Sequence, residues 1–336
     1  MKRVYLILCI AVLALRVQAQ QKPQYTQYVF NPILINPAVT GIESYVDVKA
    51  GYRSQWTGLQ GAPVTTYFTV SAPLGREFIE GDATSGPANG DNPLGRSFTS
   101  TYQAAAPHHG IGLTIVSDNA GPIRQTNIDA NYAYHIGLSP TLNLAVGVSA
   151  GLYNASLNTA LVTTDVQNDP AISGGNNNQL KPDVNAGVWA YSSTYFVGVS
   201  VQQLLPETIS FSSNPAYNTG QAVPHYFLTG GVKIFLSDDV AILPSVLFKY
   251  VAPVPVSYDI NMKMAFRDHF WIGGSYRQND AVAGMIGFNI GSFMSLGYSY
   301  DYTTSNLNTV SSGTHEIVLG LLLNNKYNVT CPRHTF

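Results

Sequence analysis

Charge is scarce in this sequence. Asp, Glu, Lys and Arg make up 11% of its 336 residues, less than half of the roughly 25% usual in a soluble domain. Because 17 basic side chains stand against 19 acidic ones, the net charge is only −2. No field exists to concentrate a polyanion, so nucleic acid is not an expected partner. Cysteine is almost missing as well. Cys9 lies in the leader and Cys331 stands alone near the end, so no internal disulfide holds the mature fold. Beyond the leader no apolar run reaches the length of a membrane-spanning helix, and mean hydropathy is only +0.05. The 30 Gly and 19 Pro are poor material for a helical core. What these absences leave is an all-β chain.

Residues 1–19 read as a signal peptide. Lys2 and Arg3 give a basic start, Val4 to Leu15 is an apolar run too short to span a bilayer comfortably, and Val17-Gln18-Ala19 offers a cleavage site. A lipid anchor would need Cys directly after that site, where Gln20 stands. Losing Lys2, Arg3 and Arg16 with the leader makes the mature chain more acidic.

From residue 44 onward the pattern has period two. Leu142, Leu144, Val146, Val148, Ala150 and Leu152 share one face of a strand, while Asn143, Ala145, Gly147, Ser149, Gly151 and Tyr153 share the other. The same rhythm marks 256–266 and 295–302. In a water-soluble sandwich the second face would be thick with Lys and Glu. Here it carries Gly, Ser, Asn and Thr, with scattered charges such as Arg53, Lys263, Arg277 and Asp301. Small polar residues suit a crowded, wet barrel lumen, and the aliphatic and Tyr face suits lipid. A closed barrel also leaves no unpaired edge in the membrane. Near strand ends, Trp56, Tyr250, Trp271 and Tyr302 are expected at headgroup level.

The pattern therefore predicts a transmembrane antiparallel β-barrel of about 14 strands across 44–323, in the bacterial outer membrane. It is preceded by a 20–43 segment and followed by a 324–336 tail. From the third strand on, short connections at 137–140, 192–194, 237–238, 267–269 and 291 alternate with longer ones at 118–123, 154–182, 205–223, 250–255, 278–280 and 303–312. Short turns on the periplasmic side and long loops outside is the outer-membrane arrangement. The 75–107 connection breaks the rule, being periplasmic by strand count yet the longest. It reads as an insertion, with a misplaced strand pair as the alternative.

Candidates for chemistry are weak. Gly147-Val148-Ser149-Ala150-Gly151 fits G-x-S-x-G, but on a continuing strand rather than a strand-to-helix turn. Neither His135 nor His225 has a Ser or acid partner identifiable in the sequence. His108 and His109, adjacent in a strand, point to opposite faces. Asp165, Asn168 and Asp169 lack the spacing of a calcium loop. No catalytic residue, metal or cofactor is expected.

Residues 20–43 do not alternate. Two Asn-Pro steps favour an extended-then-turn path twice over, and the apolar residues form no helical stripe. This is a non-regular plug or a periplasmic collar. Tyr25, Tyr28, Phe30, Asn31, Pro32, Asn36, Pro37 and Gly41 are its candidates for plugging the barrel or docking a partner.

A family resemblance begins in the same segment, with Gln24-Tyr25-Thr26-Gln27-Tyr28 and Phe30-Asn31-Pro32…Asn36-Pro37-Ala38…Gly41. It continues through Tyr52-Arg53…Gln55-Trp56-Thr57-Gly58-Leu59…Gly61-Ala62-Pro63, Gly110-Ile111-Gly112-Leu113 and Asp118-Asn119…Gly121-Pro122. Gly313-Thr314-His315-Glu316 opens the last strand near the outer rim, and Cys331-Pro332-Arg333 lies near the end. In these features the chain resembles the PorP/SprF proteins of the Bacteroidetes type IX secretion and gliding machinery. It departs from them in a longer 75–107 link and in ending at His334-Thr335-Phe336. The resemblance implies that Trp56, Gly58, Gly61, Pro63, His315 and Glu316 are family-motif positions. It also implies a non-enzymatic outer-membrane component that is not itself the protein-conducting pore. The implied partners are periplasmic machinery proteins, including a peptidoglycan-associated lipoprotein, and a large secreted adhesin with a C-terminal targeting domain, besides outer-membrane lipid. A passive diffusion channel and a barrel lipid hydrolase are the rival readings.

Overall fold

The computed structural model describes residues 23–75, 102–163, 177–212, 220–267, 269–290 and 293–324. The expected signal peptide at 1–19, most of the 75–107 connection, Asp165, Asn168, Asp169 and Cys331 lie outside the described residues.

Alternation produces strands where it was expected. Seven run in succession: β1 Val46–Ser54, β2 Val64–Leu74, β3 His108–Ala120, β4 Ile123–Ser139, β5 Leu142–Leu157, β6 Asn178–Tyr191 and β7 Tyr195–Gln202. A small hairpin, β8 Thr208–Ile209 and β9 Gly220–Gln221, stands apart from the main sheet. The wall resumes with β10 His225–Val232, continued after Lys233 by β11 Ile234–Phe235, then β12 Val240–Val251 and β13 Ser257–Phe266. It finishes with β14 Phe270–Arg277, β15 Ala281–Ile290, β16 Met294–Thr303 and β17 Thr314–Leu323. Each wall strand pairs antiparallel with its neighbours, β10 bridges β7 and β12, and β1 pairs with β17 from Val46↔Leu323 to Ser54↔His315. With β10 and β11 forming one stave, the sheet is a closed barrel of fourteen. Both ends of the wall lie on one rim.

The faces divide by parity. On β5, Val146, Val148 and Leu152 are about half exposed, whereas Asn143, Ala145, Ser149 and Tyr153 are buried inside. Exposed Val, Ile, Leu and Met form the outer belt, and Tyr52, Tyr226, Tyr250, Tyr276, Tyr300 and Tyr302 face outward near the outer strand ends. Such rings supply an interfacial girdle. Trp271 does not join it. It faces inward at 4% exposure, against Phe30 at 6.0 Å between ring centroids, with Lys263 Nζ 4.9 Å from its own. Its parity on β14 matches Ser275 and Arg277, so inward projection overrides its position near a strand end.

The connections alternate less cleanly than the sequence suggested. β3 and β4 extend until only the Gly121–Pro122 turn separates them, so the expected 118–123 loop is a tight hairpin. On the same side of the barrel, β3 to β6 run 13 to 17 residues against 8 to 12 in the other full wall strands. Their outer ends turn Asn119, Arg124, Thr126, Asn154 and Ser156 outward, a polar stretch that marks where this wall rises above the lipid. Inside it, Ile209 and Ala222 of the small hairpin pack with Tyr153 and Ala155. At the opposite rim, Ala104 N donates to Pro140 O at 2.7 Å and Ala105 N to Asn143 Oδ1 at 2.9 Å. These bonds tie the end of the long connection to the β4–β5 turn.

Placing a charge on each face of β5 tests the assignment. Val146→Lys should lower folding yield in vesicles by the roughly 2–4 kcal/mol of a midplane lysine facing lipid, while Ser149→Lys, on the lumen face, costs less. Urea titration followed by heat-modifiable gel migration measures both, and equal losses, or a larger loss for Ser149→Lys, would mean that the faces are wrongly assigned.

Candidate functional site

The lumen is filled by the segment that precedes β1. Every residue from Thr26 to Glu43 is buried, although the segment contains only three short 3₁₀ turns, Gln27–Val29, Pro32–Leu34 and Pro37–Val39. The two Asn-Pro steps create the last two turns. Asn31 and Asn36 cap them in non-helical conformations, and each Pro supplies the first turn residue, where a missing N–H costs nothing.

A segment without regular structure must find partners for its polar groups when buried, and here the wall provides them. Asn36 Nδ2 donates to Val188 O at 3.1 Å and Val199 O at 3.2 Å, while its Oδ1 accepts from Ala38 N at 2.9 Å. Asn31 Nδ2 donates to Thr69 Oγ1 at 3.0 Å. Gln202 Nε2 reaches Leu34 O at 2.9 Å, Ser200 donates to Ile35 O, and Gly41 N donates to Ser71 Oγ at 2.7 Å. His135 Nε2 donates to Thr40 O at 2.8 Å, its ring stacked 4.5 Å from that of His108. Two wall glycines make the approach possible. A Cβ on Gly187 would collide with Asn36 Oδ1, and one on Gly147 with the backbone of Ala38.

Apolar packing divides around the plug. Tyr28, Val29, Ile35, Ala38 and Val39 pack with Trp189, Tyr191, Phe196 and Leu247. Phe30 and Leu34 pack on the other side with Tyr67, Leu243, Trp271 and Val318. The plug is thus the hydrophobic core of a barrel whose other face is in lipid.

Its leading end is held by buried charge. Arg53 Nη1 donates to Glu316 Oε2 at 2.9 Å and Nη2 to Asp301 Oδ2 at 2.8 Å, with all three side chains no more than 2% exposed. Thr26 sits among them. Its N donates to Glu316 Oε2 at 2.8 Å, its hydroxyl donates to Asp301 Oδ2 at 2.7 Å, and Arg53 Nη1 and Arg277 Nη2 each donate to Oγ1 at 3.0 Å. Tyr67 OH donates to Glu316 Oε1 at 2.8 Å. The cluster continues through Arg277 to Asp280 at 2.9 Å and from Asp259 to Lys249 at 2.9 Å. Charges so deeply buried persist only when paired and hydrogen-bonded. Arg53 and Glu316 are also cross-strand neighbours on β1 and β17, so Thr26 is fastened at the seam where first and last strands meet.

Residues 17–321 match the family described as type IX secretion system membrane protein PorP/SprF. The chain belongs to this family. Membership together with a closed barrel belted by apolar side chains places it in the bacterial outer membrane. A search of curated proteins finds no match. Among solved structures, the chain is similar to the Ralstonia pickettii toluene transporter TbuX, at 12% identity over 86% of this chain and 92% of that one, TM-score 0.49. It is also similar to the CymD monoaromatic hydrocarbon channel, at 10% identity, 88% and 91% coverage and TM-score 0.48. Acinetobacter baumannii Omp33 gives 12% identity, 84% and 98% coverage and TM-score 0.42.

The family-motif positions fall in two places. Trp56, Gly58, Gly61 and Pro63 form the outer β1–β2 connection, which is stitched to its surroundings rather than free. Trp56 N donates to Thr314 Oγ1 at 3.1 Å, Thr57 N to Gly313 O at 2.8 Å, and Gly121 N to Gly61 O at 2.9 Å. His315 and Glu316, adjacent in sequence, part company. His315 faces out beside Tyr298, 2.8 Å from its hydroxyl, while Glu316 is fully buried in the lumen. Asn31, Asn36 and their neighbours face the barrel wall, so their surfaces are not available to dock an external partner. Of the rejected catalytic candidates, Ser149 accepts from Asn185 Nδ2 at 2.7 Å on the lumen face, with no sharp turn around it. His109 points outward to Tyr132 OH and His108 inward. The charge cluster is what sequence reasoning missed. Arg53, Arg277 and Asp301 stood out only as isolated charges, and inward parity near the outer strand ends was the signal that joins them.

Arg53→Met should destabilise the barrel by about 3–5 kcal/mol, because it strands Glu316 and Asp301 in a dry lumen. Gly187→Val should leave the wall paired but force Asn36 away. The check is limited proteolysis of the refolded protein in vesicles, with new cleavage within 24–43 expected for the glycine variant.

Proposed function

We propose that this chain is a sealed, non-enzymatic anchor of the type IX secretion and gliding machinery. It holds periplasmic components on one side of the outer membrane and supports secretion or surface retention of a partner adhesin on the other. The observation that carries this reading is the plug. A passive channel needs a continuous wet path, and here a run of buried residues crosses the lumen, hydrogen-bonded to β2, β6, β7 and β17. Ser149, the residue a lipid hydrolase would need as nucleophile, faces away from lipid and has an amide rather than a His as its partner, which also favours a binding role.

On this reading the partners meet the rims and not the plug. Periplasmic proteins, including a peptidoglycan-associated lipoprotein, engage the rim where the long β2–β3 connection leaves the barrel. The adhesin is held at the outer rim, where β3 to β6 stand above the lipid.

Planar-bilayer recording and affinity capture test the two halves. Intact protein should pass little current, and a variant lacking 24–40 should conduct at least several-fold more. Should that deletion fail to fold, Thr26→Val, which loosens the leading end and leaves the Arg53 ion pairs of the seam in place, should show more frequent openings. Capture of the native barrel from outer membranes, followed by mass spectrometry, should return the lipoprotein and a large adhesin. A steady high conductance from intact protein together with an empty capture would leave the diffusion-channel reading standing instead.

A further inference from the structure

The plug does not fill the lumen evenly. Beside it, in the outer half, remains a cavity offering about 130 Å³ to the centres of water molecules. At roughly 10–15 Å³ per water centre this holds about ten waters, near 300 Å³ of liquid, which is the lower end of small-ligand sites. Its floor is Ile33, Ile35 and Pro37 of the plug. Gln202, His225, Val254 and Pro255, from the outer ends of β7 and β10 and the outer β12–β13 turn, place it at the end of the lumen nearer the cell exterior.

The two sides of this cavity differ in kind. Thr114, Asn127, Asn131, Ser149 and Asn185, on β3 to β6, make one side. Tyr28, Phe227, Leu247, Val251 and Val254 give the other its apolar area, with the mutually paired Lys249 and Asp259 set among them. The polar side is pre-arranged by its own hydrogen bonds. Asn131 Nδ2 donates to Thr114 Oγ1 at 2.8 Å, Asn185 Nδ2 to Ser149 Oγ at 2.7 Å, and Asn127 Nδ2 to Asp183 Oδ2 at 2.8 Å. Each of the two hydroxyls accepts a bond there, and its own proton remains to be donated. The Asn127 and Asn131 carbonyl oxygens make no bond within the described residues, and neither is among the dry, unpaired buried atoms. Neutral donors and acceptors, held in place and left open beside Asp129, face a surface that is mainly aromatic and aliphatic apart from the Lys249–Asp259 pair.

That pairing selects a ligand class. An anion would meet Asp129 and Asp259, with Lys249 already paired to Asp259 at 2.9 Å. A purely apolar molecule would leave the amides and hydroxyls unpaired on desolvation. A neutral sugar ring has a C–H face for the apolar side and a rim of hydroxyls that both give and accept hydrogen bonds. We infer that this cavity is a binding site for a neutral saccharide of one to two rings. The inference does not rest on the anchoring role, since binding here requires no partner protein.

Isothermal titration with the mature barrel in an amine-oxide detergent, free of sugar headgroups, is the test. The probes are methyl glucoside, methyl mannoside and methyl galactoside, with maltose as the two-ring case and glucuronate and cyclohexanol as controls. At least one neutral glycoside should bind, and at least tenfold tighter than glucuronate or cyclohexanol. Ser149→Ala, and separately Asn131→Ala, should weaken it at least fivefold while gel migration still reports a folded barrel. The outward-facing Val148→Ala should leave it unchanged. A chain shortened by residues 20–22, which precede the cavity-lining Pro23, should bind as the full mature chain does. The inference fails if no glycoside binds at 10 mM to folded protein, or if cyclohexanol binds best. It fails too if the two variants bind as wild type, or if binding appears only after the shortening, which would assign the cavity to the segment that precedes β1.

Discussion

The rest of the structure depends on one constraint, that a barrel has an inside as well as an outside. The lipid-facing belt of this chain satisfies only half of its strands' side chains. The other half would face a wide column of water, which gives a fourteen-stranded wall no packing. This chain meets the constraint with the segment that precedes β1. The plug brings Tyr28, Phe30, Leu34, Ile35 and Val39 into the lumen, and there they meet Trp189, Phe196, Leu247 and Trp271. The apolar content usually assigned to a soluble core is thus present, but it is imported on a segment that belongs to no strand. An irregular backbone at membrane depth is tolerated because it is surrounded by protein. Asn36, Gln202, Ser200 and Ser71 supply the bonds that a regular ladder would otherwise give.

The charge cluster follows from the same constraint. Arg53 and Glu316 oppose each other across the pair of strands that closes the barrel. Ladder bonds alone would join β1 to β17, but they do not distinguish the correct register from one slipped by two residues. A buried Arg between two carboxylates does, because any slip leaves a charge unpaired in a dry lumen. Thr26 adds the plug to that specification, since its N–H and hydroxyl complete the same carboxylates. The outer β1–β2 connection repeats the arrangement with backbone bonds from Trp56 and Thr57 to Thr314 and Gly313. Of the family-motif positions, Trp56 and Glu316 thus both fasten this seam.

Much of the wall was legible in the sequence. Period-two alternation located fourteen strands, and parity assigned their faces, because the lipid and the lumen make opposite demands on successive residues. Three kinds of feature resisted. Trp271 read as an interfacial ring from its place near a strand end, yet parity sends it inward; position along a strand and direction across it are separate variables. The 118–123 connection read as a loop because Asp118, Asn119, Gly121 and Pro122 are turn-forming types, but above the lipid a strand can carry polar residues on both faces. The plug's path was the least legible. Its Asn-Pro steps announced turns, but their partners are more than 150 residues away at Val188 and Val199, and no local pattern encodes a contact of that range. The charge network lies between these cases. Each member is on a predictable inward position, while their convergence requires knowing that β14 to β17 and β1 run consecutively around the wall.

The polarity of the plug bears on whether it acts as a gate. Its attached end, Thr40 to Glu43, joins β1 at the periplasmic rim and is held there through Ser71 and His135. Its leading end, near Thr26, lies in the outer half of the lumen. A plug withdrawn toward the periplasm would have to draw that end past both apolar clusters and out of the carboxylate cluster at once. No hinge divides the path, since the three short turns are each tied to the wall by separate bonds, so release of one turn does not free the next. A segment fastened at both ends and at intervals between them behaves as a core element. A swinging gate would instead concentrate its contacts at one removable latch. The same distribution explains how a cavity can persist beside the plug, because the contacts that fix it are made along its length and not by filling the lumen completely.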